Sequence, residues 1–377
     1  VPTARFDELL HRHLDLDGNL APSALRVWDA HTHLGVDEDG FTQTPEELMT
    51  MMRAQGVERA FTFPLNDPER RPAYRVPNDR VMGWAEASEG MLVPFCRLDL
   101  TEDPITEAER CLDAGACGIK LHPRAQFFDF GANGLNPVFE LASERRVPIL
   151  IHAGRGLPAI ADDLRVLVER HTGAQLILAH AAIADLEQIS RELVDHPNVL
   201  YDTSVWSTTD LRTLFASASP EQILFASDAP YGMPATARFA LLLVARRAGA
   251  SEAQIRAMFW DNADRACRGE PAPALSPPLM PRERMVPLQR LRIHDYLVMT
   301  QTLMWSRLGD APGALGLALR ACDTNGGGEL DEVAELLEAV RELWSEGLAA
   351  EDETTGRTYT RSAMRLLQIA DAIVQDV

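Results

Sequence analysis

The stretch RVWDAHTHLG, residues 26–35, decides how the chain is read. It is an apolar run that carries His31 and His33 two positions apart and ends at Gly35. Alternation along a strand sends both imidazoles to the same face. Seven comparable runs follow: VERAFTFPL (57–65), LVPFCRLDL (92–100), ACGIKLHP (116–123), VPILIHAG (147–154), AQLILAHAA (174–182), NVLYDTSV (198–205) and QILFASDAP (222–230). Several are near-continuous apolar segments that close on a polar residue and then Gly, Pro or Ala, the pattern of strands buried on both faces of a parallel sheet. Helix-like stretches separate them, such as TPEELMTMMRAQG (44–56), where Thr44 supplies an N-cap and Pro45 the first helical position. Eight β–α units over about 250 residues is the arithmetic of a (β/α)8 TIM barrel, with a doubly wound open sheet as the structural alternative.

Working outward, residues 1–25 read as an N-terminal helical extension with a helix over 4–14, and residues 26–270 as the α/β barrel. PAPALSPPLMP (271–281) is a Pro-rich connector. Residues 282–377 read as a small all-α C-terminal domain, with helices expected at 286–308, 312–322, 329–347 and 359–375. Within it, DTNGGGELD (323–331) is EF-hand-like: Asp323, Asn325 and Gly328 fit positions 1, 3 and 6. Position 12 is Ala334, where calcium binding needs a bidentate Glu, so the loop is degenerate and reads as a glycine-rich turn.

Of 377 residues 46% are hydrophobic, enough for a large core, and the formal net charge is −20. That charge argues against nucleic acid, whose phosphates demand a Lys/Arg footprint, and against an anionic membrane surface. No apolar run reaches the roughly 18 residues of a membrane span. The charged start, VPTARFDELLHRHLDLDGN, lacks the apolar region of a signal peptide. Five scattered cysteines, Cys96, Cys111, Cys117, Cys267 and Cys322, without a CxxC pair, read as reduced thiols of a cytoplasmic protein.

Three polar residues occupy strand ends equivalent to those of His31 and His33: His152, His180 and Asp228. Catalytic residues of a TIM barrel come from the C-terminal ends of several strands. Four imidazoles and a carboxylate converging there would be costly to bury unpaired. A divalent metal resolves that cost, and His/Asp ligation suits zinc. The pattern also resembles a known family. DAHTH, LIHAG, LAHAA and FASDAPYG are similar to the strand-1 HxH, strand-5 His, strand-6 His and strand-8 Asp of the amidohydrolase superfamily, and SDAPYG with DNADR looks most like its amidohydrolase-related (type 2) branch. That branch contains hydrolases of amides and lactones, hydratases and nonoxidative decarboxylases. The resemblance covers residues 26–270.

Lys120, in GIKLHP, is the only lysine in the chain. It falls where many superfamily members carry a carboxylated lysine that bridges two metals. Arginine cannot fill that role, because it stays protonated. An unmodified Lys120 that binds a substrate anion is the other reading. The resemblance thus implies a metal set of His31, His33, Lys120, His152, His180 and Asp228, holding one or two ions. It further implies Asp228 as general acid/base and His180 as a second metal ligand or carbonyl polariser. His122, Arg124 and Arg155 lie just beyond strand ends, where they suit a substrate contact, and the arginines suit an anionic group. Arg97, Trp206 and Tyr231 follow strand ends as secondary candidates, while His11, His13, His171, His196 and His294 read as bystanders. The reaction implied is metal-dependent hydrolysis of an amide C–N or lactone/ester bond in a small molecule. Decarboxylation at the same site is the alternative, and an inactive adaptor barrel a third reading. The extra helices offer surface for a homo-oligomer.

Overall fold

Nine strands make one sheet: β1 (Trp28–Val36), β2 (Thr42–Gln43), β3 (Arg59–Pro64), β4 (Leu92–Arg97), β5 (Gly118–Leu121), β6 (Pro148–Ile151), β7 (Gln175–Leu178), β8 (Val199–Asp202) and β9 (Ile223–Leu224). The structure is a computed structural model and describes residues 4–154, 156–193, 195–204, 207–271, 273–280, 286–306, 311–323 and 330–375. The strand order is β2-β1-β3-β4-β5-β6-β7-β8-β9. Every neighbouring pair is parallel except the short β1–β2 hairpin. The residues after β9 then run back beside β1. Ala30 N donates to Phe225 O at 2.8 Å, Asp228 N to His31 O at 2.9 Å and His33 N to Ala229 O at 2.8 Å. A parallel bridge joins Thr32 to Ala229. The eight parallel strands therefore curl into the expected (β/α)8 TIM barrel, and β2 is an added hairpin arm.

Period-two alternation sorts the side chains. Phe61, Phe63, Phe95, Leu150, Ile177, Leu200, Leu224 and Ala226 point inward and pack with Trp28 and Ala30 as the barrel interior. Their neighbours Ala60, Cys96, Ile119, Ile149, Ile151, Leu176, Val199 and Ile223 point outward into the layer under the helices. Continuing the inward register toward the strand C-termini gives Arg97, Lys120, His152, Asp202 and Asp228. The polar site is thus the top layer of the same interior that is apolar below. On β1 the register shifts between Asp29 and Thr32. That irregularity carries the inward face from Trp28 and Ala30 to His31 and His33, the re-aiming a β-bulge performs.

A separate apolar core joins the helices Leu288–Trp305, Ala311–Asp323, Asp331–Ala349 and Glu353–Val374. Phe6 and Leu9 of the N-terminal helix enter this core, and so do Phe239 and Leu243 of the barrel helix Pro234–Arg247. Polar contacts reinforce the junction: Thr209 Oγ1 lies 3.0 Å from His294 Nε2, and Arg212 Nη1 donates to Gln375 O at 2.6 Å. The described residues of the connector lie along the barrel. Ser276 N and Oγ donate to Glu221 at 3.0 and 2.9 Å, and Met280 N to Phe215 O at 3.1 Å.

Three expectations change. The N-terminal helix runs to Leu20, whose side chain packs against both the barrel and the helical core. The last helix begins at Glu353, six positions earlier than its periodicity indicates, because Asp352 caps it by accepting from Thr355 N at 2.8 Å. Cys117 and Cys267, expected as free thiols, are paired as a disulfide with their Cα atoms 5.7 Å apart; Cys96 and Cys111 are buried free thiols. The fold explains the missed pair, since β5 and the last barrel helix meet although 150 residues separate the two positions. Residues 324–329 of the EF-hand-like stretch lie outside the described residues. No helix among the described residues is long and apolar enough to cross a membrane.

Candidate metal centre

A cavity of about 650 Å3 opens at the C-terminal ends of the parallel strands, a volume suited to a small molecule. All six side chains of the expected metal set line it, and His122 and Arg124 line it as well. Arg155 and Trp206 lie outside the described residues.

Two groups form within the set. In the first, Nε2 of His31 and His33 are 3.2 Å apart. Asp228 Oδ1 sits 3.2 Å from His31 Nε2 and 3.1 Å from His33 Nε2. In the second, His180 Nε2 faces His152 Nδ1 at 3.1 Å. His152 therefore stands in contact with His180. Lys120 adjoins the first group, with Nζ 3.2 Å from His31 Nε2. His122 caps the short helix after β5, where its Nδ1 accepts from Ala125 N at 3.2 Å, and its ring stacks on His152 with centroids 4.0 Å apart.

Backbone geometry aims the groups. Asp228 has a φ of 60°, and Gly232 N donates to its carbonyl at 2.9 Å. A Cβ on Gly232 would fall 1.9 Å from Ser227 O, so the turn that presents Asp228 admits only glycine there. His180, Ala181 and Ala182 all have positive φ, which costs about 1–2 kcal/mol per non-glycine residue. The backbone of this turn is held by Asp202, whose Oδ1 accepts from His180 N at 2.9 Å.

Asp202 was not among the candidates, and it organises much of the site. Its Oδ2 lies 2.7 Å from His31 Nδ1, while Oδ1 also accepts from Ser204 N at 3.0 Å and from Ser204 Oγ at 2.5 Å. Although burial opposes ionisation, His31 and these donors hold its pKa well below the usual carboxylate range. An ionised Asp202 fixes the proton of His31 on Nδ1 and leaves the Nε2 lone pair facing the first group. His180 is set the same way, with Nδ1 donating to Ser204 O at 2.8 Å. The signal for Asp202 was present in LYDTS, another strand run that closes on a polar residue.

Burial lowers the pKa values of His31 (to about 3), His33, His122, His152 and His180, which favours neutral imidazoles. It raises that of Asp228 well above the carboxylate range and that of Asp29 to about 7. It also lowers Lys120 to about 7, against the pull of Asp228, so the amine has a sizeable neutral fraction near neutral pH. These residues fit a divalent cation. Lone pairs of His31 Nε2, His33 Nε2 and Asp228 Oδ1 point at one another, with all three donor atoms within 4.8 Å. His152 Nε2 is buried without a hydrogen-bond partner. Such a gathering of acceptors is repulsive until a cation joins it, and two imidazoles with one carboxylate can hold a divalent ion.

The helical region reaches this cavity too. Gln301, Thr302 and Trp305 of the helix Leu288–Trp305, with Met364 of the last helix, form part of its wall. None was a candidate, because no local pattern ties a residue near position 300 to a barrel mouth built before position 232.

A TIM barrel with HxH on the first strand, histidines at later strand ends and an aspartate after the last defines an α/β barrel enzyme with a candidate divalent-metal centre. The chain belongs to the amidohydrolase family, whose model matches residues 28–268. No curated protein matches it significantly. Among solved structures, 2,6-dihydroxybenzoate decarboxylase from Rhizobium is 17% identical, with 64% of this chain and 98% of that chain covered and a TM-score of 0.53. An uncharacterized TIM-barrel protein from Bordetella bronchiseptica is 14% identical, covering 65% and 99%, with a TM-score of 0.52. For 5-carboxyvanillate decarboxylase from Sphingomonas paucimobilis the identity is 15%, the coverage 65% and 99%, and the TM-score 0.50. At these identities the likeness is one of fold.

Proposed function

We propose that this chain is a metal-dependent hydrolase that cleaves an amide C–N or lactone/ester bond in a small anionic molecule. The observation that carries the reading is the convergence of His31, His33 and Asp228, in which Asp228 touches both imidazoles while buried. These three residues would hold a zinc ion, and His152 and His180, together with Lys120 if it is carboxylated, would hold a second. Bound there, a divalent cation supplies Lewis-acid polarisation of a carbonyl and activates water for attack near neutral pH.

The chain's own residues do the remaining work. Asp228 accepts one proton of the attacking water at the carboxylate oxygen that faces away from the histidines and returns it to the departing nitrogen or oxygen; the second water proton stays on the new carboxylic acid, which gives it to the freed amine or to solvent. Its raised pKa keeps the protonated form accessible, although a bound cation would pull that pKa back down. Asp202 holds His31 in the tautomer with Nε2 free. Arg124, at the cavity wall, attracts the substrate's negative charge.

A nonoxidative decarboxylase using the same residues is the second reading. One observation favours it: Lys120 Nζ sits beside His31, and His31, His33 and Asp228 are the one metal-capable group of three among the described residues. The test is an assay of the metal-loaded chain against a panel of lactones, N-acyl amino acids and hydroxyaryl carboxylates, following proton release for the lactones, free amine for the N-acyl amino acids and carbon dioxide in parallel. Hydrolysis of a lactone or amide, lost in Asp228→Asn, is the expected result. Carbon dioxide release without hydrolysis would replace the proposal with the second reading.

A further inference from the structure

Arg97 ends β4 and is paired in register with Lys120 on β5. It is 1% exposed and lines the cavity. Its backbone is clamped at both ends, with N donating to Asn78 Oδ1 at 2.9 Å and O accepting from Asn78 Nδ2 at 3.0 Å. Its guanidinium packs over the Tyr74 ring, 5.2 Å from the centroid, and Nη1 donates to Pro64 O at 3.1 Å. Nε and Nη2 are buried and have no hydrogen-bond partner within the protein.

Those two nitrogens share one edge of the planar guanidinium, the edge that meets a carboxylate through two parallel hydrogen bonds. A buried arginine kept for structure alone would be expected to spend that edge on backbone carbonyls, because an unpaired buried charge is costly. The acidic groups of the cavity are engaged elsewhere. Asp228 is committed to His31 and His33, Asp37 accepts from Tyr231 Oη at 2.9 Å and from Asn66 N at 2.9 Å, and Asp39 accepts from Phe41 N at 3.1 Å.

We infer that Arg97 is a receptor for a carboxylate of the substrate, which it grips through its Nε/Nη2 edge. The inference rests on the reading of this cavity as the active site, and it narrows the anionic substrate to a carboxylic acid held on the β4–β5 side. A planar carboxylate satisfies both free N–H groups at once. The clamped backbone and the Tyr74 ring present the fork in one orientation, so little side-chain freedom is lost on binding.

The test is calorimetric titration of the full chain with benzoate, its neutral isostere benzamide and inorganic phosphate, on both zinc-loaded and chelator-stripped protein. Benzoate should bind both forms, more tightly than benzamide or phosphate. Arg97→Gln should weaken benzoate about tenfold or more, leave benzamide unchanged and keep the zinc content of the wild type. Arg97→Lys should lose benzoate comparably, because it keeps the charge without the fork. Both variants should stay folded without ligand, with melting lowered only by the loss of the Nη1–Pro64 O hydrogen bond and the Tyr74 contact. Benzoate binding no better than benzamide, preference for phosphate, undiminished benzoate binding in Arg97→Gln, or unfolding of both variants would each overturn the inference. A failed metal centre would show separately, as zinc that does not bind a chain that still binds benzoate.

Discussion

Replacing Asp202 by Asn keeps the shape of the side chain and removes its charge, and the structure leaves the amide no good orientation. With its NH2 toward His31, the amide would donate to Nδ1 and force the imidazole proton onto Nε2. That nitrogen faces His33 and Asp228 at 3.2 Å, so His31 would cease to offer a lone pair to a cation. With its NH2 turned the other way, the amide would confront the N–H groups of His180 and Ser204, which Oδ1 accepts at 2.9 and 3.0 Å. Leaving buried donors unsatisfied costs about 1–3 kcal/mol each, and the positive-φ turn at His180 would lose its anchor. The first orientation predicts a fall in metal affinity of about 10–100-fold, as for other residues that orient metal-bound histidines. The second predicts a loss of stability of about 2–6 kcal/mol from two orphaned donors. Zinc titration against a competing chelator, with denaturant unfolding of the metal-free protein, measures both. An Asp202→Asn variant that binds zinc as tightly as the wild type and unfolds at the same denaturant concentration would refute the role given to Asp202.

Three further outcomes are expected. The metal-free protein should lose stability as the pH falls from 7 to 5. His31, His33, His122, His152 and His180 have pKa values lowered by burial, so the unfolded chain binds protons first and the stability present above pH ~6.5 drains away, on the order of 1 kcal/mol per pH unit for each histidine. Asp29 and Asp228, with raised pKa values, work in the opposite sense over this range but are fewer; urea unfolding at stepped pH reads the net slope, and a flat profile would contradict it. Lys120→Arg should cut turnover about 100-fold or more, because arginine keeps the charge but cannot be carboxylated, and near-normal turnover would leave Lys120 no specific role. Trp305→Ala should raise KM roughly tenfold with metal content unchanged, since Trp305 belongs to the cavity wall but not to the ligand groups; an unaltered KM would place the helical region outside substrate recognition.

The barrel and half of its site could be read from the chain because both rest on periodicity. Apolar runs that close on a polar residue gave all eight parallel strands, and period two placed His31 beside His33 and Lys120 at the mouth. Asp202 closes a run of the same form, but that run holds neither a histidine nor a lysine to mark it. Arg97 stood among secondary candidates, and its importance lies in two unpaired nitrogens, which no residue pattern reveals. The contact of His152 with His180 depends on a positive-φ turn that follows no local signal, and the Cys117–Cys267 pair joins positions that meet only in the closed barrel. Gln301, Trp305 and Met364 were invisible for a related reason. Amphipathic periodicity says which helix face is buried, not which other element it meets.

The most direct test is the metal content of the purified full chain. Plasma mass spectrometry on protein expressed with added zinc should find at least one divalent ion per chain in the wild type and a marked loss in His33→Ala with the fold intact by circular dichroism. Intact mass under native conditions should then show the gain of one carbon dioxide wherever two ions are bound. A wild-type chain that retains no divalent metal, or a His33→Ala chain that retains as much as the wild type, would contradict the account at its centre.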